Sequence, residues 1–255
     1  MKLDTVISAC SLDWRFLPPC IESARQFSKR LTLVLCDRLF DGTEEPPDFI
    51  EACRRQMSML GDVVVFPYDS TKDSKWHHNQ SRWLGIQRCT ADHICLLDAD
   101  EIVDAERTMS RLLTGLAQYW AVSLACYWYF RSARYQADAI ERCGLICERK
   151  EWTEERAFTE HERYWMGPDI GYCSHLRGFD GRPLAHHLSW VHTKAEMLRK
   201  VAAWGHRGDQ NWTEVVEAEM SNPFDCKTQK DFVHQYGYTL LPEPAVRLPR
   251  EEELS

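Results

Sequence analysis

Four short runs of apolar and β-branched residues recur in the first hundred residues, and this alternation constrains the fold more than any other feature. The runs cover residues 5–9, 31–36, 62–66 and 93–97. Segments of mixed, helix-compatible sequence separate them, and strands that alternate with helices usually form a parallel sheet. Parallel strands are buried on both faces, which explains why LTLVLC and VVVF lack polar alternation. We therefore expect an α/β class with a mostly parallel sheet flanked by helices.

The rest of the chain divides into less regular parts. Amphipathic spacing predicts helices over residues 17–28, 47–60, 78–90, 193–206 and 213–220, and an aromatic run predicts a strand over residues 121–130. Residues 131–180 show little periodicity, so we expect loops and short elements over the sheet edge there. We expect one domain over residues 1–240 with a helical C-terminal part, and a flexible tail over residues 241–255.

Composition and charge exclude several classes of protein. Among 255 residues, 31 Lys and Arg against 39 Asp and Glu give a formal net charge of -8, which disfavours nucleic-acid binding. The longest nearly apolar run is far shorter than the roughly 20 residues of a membrane-spanning helix. Asp4 interrupts what would have to be the apolar core of a signal peptide. Eleven scattered cysteines without a CxxC pair indicate reduced thiols and a cytoplasmic location.

An acidic cluster follows the fourth apolar run. The sequence Leu-Leu-Asp98-Ala-Asp100-Glu101 places carboxylates at the carboxyl edge of a parallel sheet, where ligands of open α/β sheets bind. Asp98 and Asp100 are two residues apart, so extended backbone puts both on one face. Mg²⁺ or Mn²⁺ accepts such carboxylates together with phosphate oxygens. The alternative is that these residues merely solvate a turn or cap the next helix.

Several of these segments together resemble a known family. The order of strand, helix, LTLVLCD, the segment HNQSRWLG and ICLLDADEIV resembles the nucleotide-binding half of family 2-type glycosyltransferases with the GT-A fold. The resemblance covers residues 5–130 and makes 131–240 the acceptor part. It implies a metal-dependent glycosyltransferase that moves a sugar from a UDP- or GDP-linked donor to a hydroxyl of a glycan or glycoconjugate.

The resemblance also implies roles for single residues. Asp100 would ligate the metal directly, and Asp98 would approach the donor ribose or the metal through water. Asp37 matches the acidic position that reads the base, although a strand-end turn residue is an equal alternative. The backbone from Ser8 to Ser11 would hold the nucleoside, and Arg82 would contact the donor.

Histidines are dense in the C-terminal part, and the resemblance makes one of them a metal ligand. We expect His187 in this role, with His192 and His206 as alternatives. One or two of the basic residues around them would pair with the diphosphate, and most would face solvent. These basic residues are Lys194, Arg199, Lys200 and Arg207.

The catalytic base has no clear motif. A turn at Gly167 and Pro168 would bring Asp169 towards the sheet edge, which makes it the candidate general base. Glu162, and Glu160 beside it, are alternatives. The sequence has no Glu-Asp pair and no QxxRW motif, so the stereochemical outcome stays open.

Three other functions compete with sugar transfer. A haloacid dehalogenase-like phosphohydrolase would use Asp98 as its nucleophile, but its motif belongs after the first strand and Ile102 replaces the expected hydroxyl or valine. A nucleotidyltransferase needs a glycine-rich loop after the first strand, and Cys10-Ser-Leu-Asp-Trp-Arg has no glycine. A non-catalytic sugar-binding protein is the third alternative.

Overall fold

The four apolar runs form adjacent parallel strands in the computed structural model, which describes residues 3–159 and 172–249. The strands are β1 (Leu3–Ser8), β2 (Arg30–Cys36), β3 (Gly61–Phe66) and β4 (His93–Asp98). They lie in the order β3-β2-β1-β4, and each neighbouring pair is parallel. The predicted α/β class, with a parallel sheet and flanking helices, is confirmed for this part of the chain.

Helices follow the first three strands and pack on both faces of the sheet. They are α1 (Leu17–Ala24), α2 (Pro47–Met57) and α3 (Ser74–Ile86). Proline at the first turn favours α2, and the Asp73 carboxylate caps α3 by accepting from the backbone N–H of Trp76. One buried cluster, with Phe16, Leu33 and Phe49, lies on one face of the sheet. A second buried cluster, with Val6, Val34 and Leu96, lies on the other face.

The acidic segment after β4 turns the chain out of the parallel layer. A short strand, β5 (Glu101–Val103), and the helix α4 (Ala105–Gln118) follow. β5 does not pair with β4. It pairs antiparallel with a later strand from the second half of the chain, with Glu101 opposite His187. The acidic turn is therefore held between the two halves.

The remaining elements complete a mixed sheet. They are β6 (Ala121–Phe130), β7 (Ser132–Glu148), α5 (Glu154–Thr159), β8 (Tyr172–Leu176), β9 (Ala185–Trp190), α6 (Lys194–Ala203), α7 (Trp212–Glu219) and β10 (Tyr238–Leu240). β7 pairs antiparallel with both β4 and β6, and β9 pairs parallel with β6. The C-terminal part contains α6 and α7, as the helical spacing predicts.

The prediction of loops over residues 131–180 is wrong for its first third. β7 is a 17-residue strand. Its first part carries many charged side chains and is half-buried, so its apolar pattern is weak. Its last part, from Cys143 to Cys147, is buried because it pairs with β4. The tertiary pairing decides this strand, and local sequence does not reveal it.

The expected tail has contacts in its described portion, residues 241–249. The backbone N–H of Leu241 donates to the carbonyl of Arg134 at 2.8 Å, and that of Ala245 donates to Ala133 at 3.1 Å. Within the described residues, no helix is long and apolar enough to cross a membrane. All eleven cysteines are free thiols. The cytoplasmic location stays a prediction.

Candidate functional site

A cavity of about 980 Å³ lies at the carboxyl edge of β1, β2 and β4. Its wall includes the acidic turn on one side and residues of β6, β9 and α6 on the other. The candidate residues among its lining are Ser8, Arg82, Asp98, Asp100, His187, Lys200, His206 and Arg207. These eight residues are thus brought to one place by strands and helices distant in the chain.

Asp98 ends β4 beside Ser8, its parallel partner at the end of β1. Both Asp98 oxygens lie 3.4 Å from one Nη2 atom of Arg82, which is almost fully buried. His78 Nε2 lies 3.4 Å from Asp98 and 2.7 Å from the same Arg82 nitrogen. Arg82 and His78 are one turn apart on α3, so this helix carries both partners of Asp98.

Glu101 is part of the scaffold and does not face the cavity. Its side chain is completely buried, and Oε2 accepts from the backbone N–H of Asp98 at 2.9 Å and of Gly144 at 3.3 Å. A buried carboxylate is stable only with such donors. Glu101 therefore fixes the turn that presents Asp98 and Asp100, and it joins that turn to β7.

Asp100 has a different set of partners. Its Oδ2 accepts from the ammonium of Lys200 at 3.1 Å, and its Oδ1 lies 3.5 Å from His187 Nε2. Lys200 also donates to Asp13 Oδ1 at 3.2 Å. Asp13 belongs to the short 3₁₀ turn Ser11–Phe16 after β1. A buried ion-paired cluster thus joins this turn, the acidic turn and α6.

The groups in this cluster hold each other in their charged forms. Burial alone would raise the pKa of Asp100, but Lys200 and His187 bring it well below its ordinary value. Burial alone would lower the pKa of Lys200, but Asp13 and Asp100 raise it. Burial likewise opposes protonation of His187, yet Asp100 and Cys126 raise its pKa well above the ordinary value.

The described residues do not fit a resident divalent cation in this arrangement. None of their His, Cys, Asp and Glu side chains form a group of three or more that could hold a metal ion. Asp98 is paired with Arg82, and Asp100 is paired with Lys200. A cation at either carboxylate would have to displace a basic side chain. The metal roles of Asp98, Asp100 and His187 stay predictions.

The end of the cavity near β2 is lined by Glu45 rather than Asp37. The Asp37 carboxylate accepts a hydrogen bond from the backbone N–H of Tyr68 at 2.7 Å. Asp37 is not among the residues that line the cavity. Glu45 is buried and accepts from the backbone N–H of Ser11 at 3.0 Å. Burial raises the pKa of Glu45. Sequence reasoning missed Glu45 because it lies in a loop without a motif.

Aromatic side chains form another part of the cavity wall. Trp128, Trp190 and Trp204 line it, and the Trp190 and Trp204 rings meet edge to face at 5.2 Å between centroids. Glu141 of β7 also lines the cavity and accepts a hydrogen bond from the Tyr236 hydroxyl. Glu141 escapes sequence analysis because its strand was not predicted.

The other candidate residues are distributed as follows. His192 is completely buried against the Phe16 ring and is not a lining residue. His206 lines the cavity, and its Nδ1 forms a hydrogen bond with Asp209 Oδ2 at 2.9 Å. On α6, Lys194 and Arg199 are exposed. The base candidates Asp169, Glu162 and Glu160 lie outside the described residues.

Comparison with known proteins gives similar folds only. No protein family model and no curated protein matches the sequence. The apo-form glycosyltransferase GlyE in Streptococcus pneumoniae TIGR4 is 15% identical, over 73% of this chain and 54% of that chain, with a TM-score of 0.42. S. aureus TarS 1-349 is 11% identical, over 87% of this chain and 73% of that chain, with a TM-score of 0.41. The inositol-1-phosphate CTP transferase from T. maritima is 10% identical, over 80% of this chain and 96% of that chain, with a TM-score of 0.43.

A glycosyltransferase and a CTP transferase thus both occur among the similar structures.

Proposed function

We propose that this protein is a glycosyltransferase that takes a sugar from a nucleoside-diphosphate sugar and passes it to a hydroxyl acceptor, a glycan or glycoconjugate. The observation that carries the proposal is the arrangement of one continuous cavity. Its wall combines polar residues beside β1 and β2, the charged residues around Asp98 and Asp100, and three tryptophans. Its volume of about 980 Å³ lies at the upper end of ligand pockets, which span roughly 300–1,000 Å³.

Each part of the cavity suits one part of such a substrate pair. The nucleoside, from a UDP- or GDP-linked donor, would lie against Ser8 and Glu45. The diphosphate would lie beside Arg82 and Lys200, because basic side chains stabilise the charge of a leaving phosphate group. The sugar and the acceptor would lie towards Trp128 and the other tryptophans, since flat aromatic faces pack against sugar rings.

The loop after β1 favours sugar transfer over nucleotidyl transfer. Nucleotidyl transfer needs free backbone N–H groups that hold a triphosphate. Here the N–H of Ser11 donates to the Glu45 carboxylate, and that of Asp13 donates to the carbonyl of Cys10. The loop contains no glycine.

The general base is a separate part of the proposal. Asp169 and Glu162 remain the candidates from the sequence. Glu141 is a further candidate because it lines the same cavity as the tryptophans, near which the acceptor hydroxyl would lie. The hydrogen bond from Tyr236 would hold its carboxylate in one orientation.

The first test is a panel of nucleotide sugars with and without metal. We expect a UDP- or GDP-linked sugar to raise the melting temperature of the protein. In the absence of an acceptor, the same donor should be hydrolysed slowly to the free sugar and the nucleoside diphosphate. Arg82→Met should weaken donor binding by about tenfold, since a hydrogen-bonded charge is lost. Arg88→Met, at an exposed position just after the same helix, is the matched control. Stabilisation by a nucleoside triphosphate, with release of its β- and γ-phosphates as pyrophosphate when a sugar phosphate is added, would instead establish nucleotidyl transfer.

A further inference from the structure

The ammonium group of Lys200 lies where the sequence predicts a metal ion. It is 3.1 Å from Asp100 Oδ2 and 3.2 Å from Asp13 Oδ1, and its side chain is only 9% exposed. Lys200 reaches this position from α6, a hundred residues after the acidic turn. The neighbouring basic residues of α6, Lys194 and Arg199, are exposed to solvent.

Lys200 has one hydrogen-bond donor left for a ligand. An ammonium has three N–H groups and no acceptor. Among the described residues, two of the three have partners, the carboxylates of Asp13 and Asp100. Lys200 also lines the cavity. The third N–H is therefore available to an anion bound there, while the two carboxylates hold the ammonium in place.

The charges around the acidic pair are already matched. Asp98 has Arg82 at 3.4 Å, and Asp100 has Lys200 at 3.1 Å. A divalent ion bound to Asp100 would replace the ammonium or lie next to it, and like charges at that distance repel strongly in a buried site. The fixed basic side chains and a bound metal ion are thus alternatives at this position.

We propose that Lys200 takes the place of a resident divalent cation, so that the protein binds the diphosphate of its donor without metal. The inference rests on the proposed function and specifies how it is carried out. Lys200 contacts a phosphate oxygen through its third N–H. Asp13 and Asp100 act as positioning residues for the ammonium and do not act as metal ligands.

Calorimetry with UDP and GDP tests the inference directly. In EDTA, the affinity of whichever nucleoside diphosphate binds should equal its affinity in Mn²⁺ or Mg²⁺ within about twofold. Lys200→Met should weaken this binding by about tenfold or more, as expected for a lost charge-assisted hydrogen bond. The same variant should leave the affinity for uridine or guanosine unchanged, because these nucleosides lack phosphate. Lys194→Met, on the exposed side of α6, is the matched control and should bind like the wild type.

The substitution Asp100→Asn separates the two possible roles of this carboxylate. If Lys200 is the cation, the variant keeps or increases its affinity for the nucleoside diphosphate, because the Asn oxygen still accepts from the ammonium and holds it in place, while one negative charge that competes with the diphosphate is removed. If a metal is the cation, the variant loses its binding. A melting curve of each variant shows whether it is folded, and Lys200→Arg keeps the charge if Lys200→Met does not fold.

Two results would overturn the inference in distinguishable ways. Binding of UDP or GDP only in the presence of Mn²⁺ or Mg²⁺ would refute the role of Lys200 and leave the proposed function standing. Absence of binding to any nucleoside diphosphate, with or without metal, would refute the proposed function and the inference with it.

Discussion

Asp231 is completely buried, yet its carboxylate is surrounded by donors. The backbone N–H groups of Val233 and His234 lie 2.8 and 2.5 Å from Oδ1. Oδ2 accepts from the N–H of Tyr236 at 2.9 Å and from the Tyr238 hydroxyl at 3.0 Å. One side chain therefore shapes the segment from residue 231 to 238, which brings Val233 and His234 to the cavity.

We expect Asp231→Asn to lower the free energy of unfolding by about 2–3 kcal/mol, because an amide nitrogen replaces an acceptor among buried donors. Urea unfolding at neutral pH measures this loss. Asp225→Asn is the control, since Asp225 also accepts from its own turn, from the backbone N–H of Lys227 and the hydroxyl of Thr228, but is exposed. Asp225→Asn should lower the free energy of unfolding by less than about 1 kcal/mol. Equal losses for the two variants would show that the buried position of Asp231 has no special weight.

At the residue scale, the acidic side of the site could be predicted from sequence and the basic side only in part. Asp98 and Asp100 follow an apolar strand, and that local pattern places them at the sheet edge. Lys200 looked like its solvent-facing neighbours. It does lie three residues after the buried Met197 and one before the buried Val201, so the helical period puts it on the inner face of α6. The period could have identified Lys200, but no local signal names Asp13 and Asp100 as its partners.

At the level of elements, the start of α6 determines where Lys200 lies. Thr193 and Glu196 form a capping box, in which the Glu196 carboxylate accepts from the backbone N–H of Thr193 at 2.6 Å. His192 and Arg15 lie at 3.8 and 3.3 Å from the same carboxylate. His192, with the Thr193 N–H and Arg15, lowers the pKa of Glu196 to about 2.

This pKa gives a pH-dependent prediction. The unfolded value is about 4.3, so Glu196 stabilises the folded state above that pH, and the stabilisation is lost as the pH falls towards 2. We expect Glu196→Gln to be about 1 kcal/mol less stable than the wild type at pH 7, a value reduced for partial exposure to solvent. The difference should shrink between pH 4.3 and 2. Urea unfolding at pH 7, 4 and 3 measures it.

Glu214→Gln on α7 is the matched control. Glu214 occupies the same third position after a capping residue, Asn211, and it is exposed. Its substitution should change stability little at any of these pH values. A pH-independent loss in Glu196→Gln would mean that the carboxylate charge does not stabilise the start of α6.

The elements themselves were predictable where burial is uniform. β1 to β4 are apolar throughout because both faces are covered, and the sequence pattern shows this directly. β7 was missed because its first part is half-buried, with polar residues such as Arg142 on a strand that also packs against the core. β7 is a strand because it pairs with β4 and β6. Only β6 is adjacent to it in the sequence, so the local pattern does not reveal the pairing with β4.

At the scale of the whole molecule, strands from residues 1–130 and strands from the residues after them share one sheet. β4 lies in the middle of the sheet, between β1 from the first half and β7 from the second. Ile94, Cys95 and Leu96 of β4 pair with residues 145–147 of β7. The buried Glu101 also accepts from the N–H of Gly144 in β7. Residues after 130 therefore complete the core of the first half.

This arrangement predicts that residues 1–130 will not fold alone. Without β7, β4 becomes an open edge strand with buried apolar side chains on both faces, and Glu101 loses one of its donors. We expect the fragment to lack a cooperative thermal transition and to bind a hydrophobic dye, whereas the full chain melts cooperatively. Addition of a separately produced fragment of residues 131–255 should restore the transition if the missing pairing is the cause. A cooperative transition in the 1–130 fragment alone would show that residues 1–130 are an independent domain, and that β7 adds to a core that is already complete.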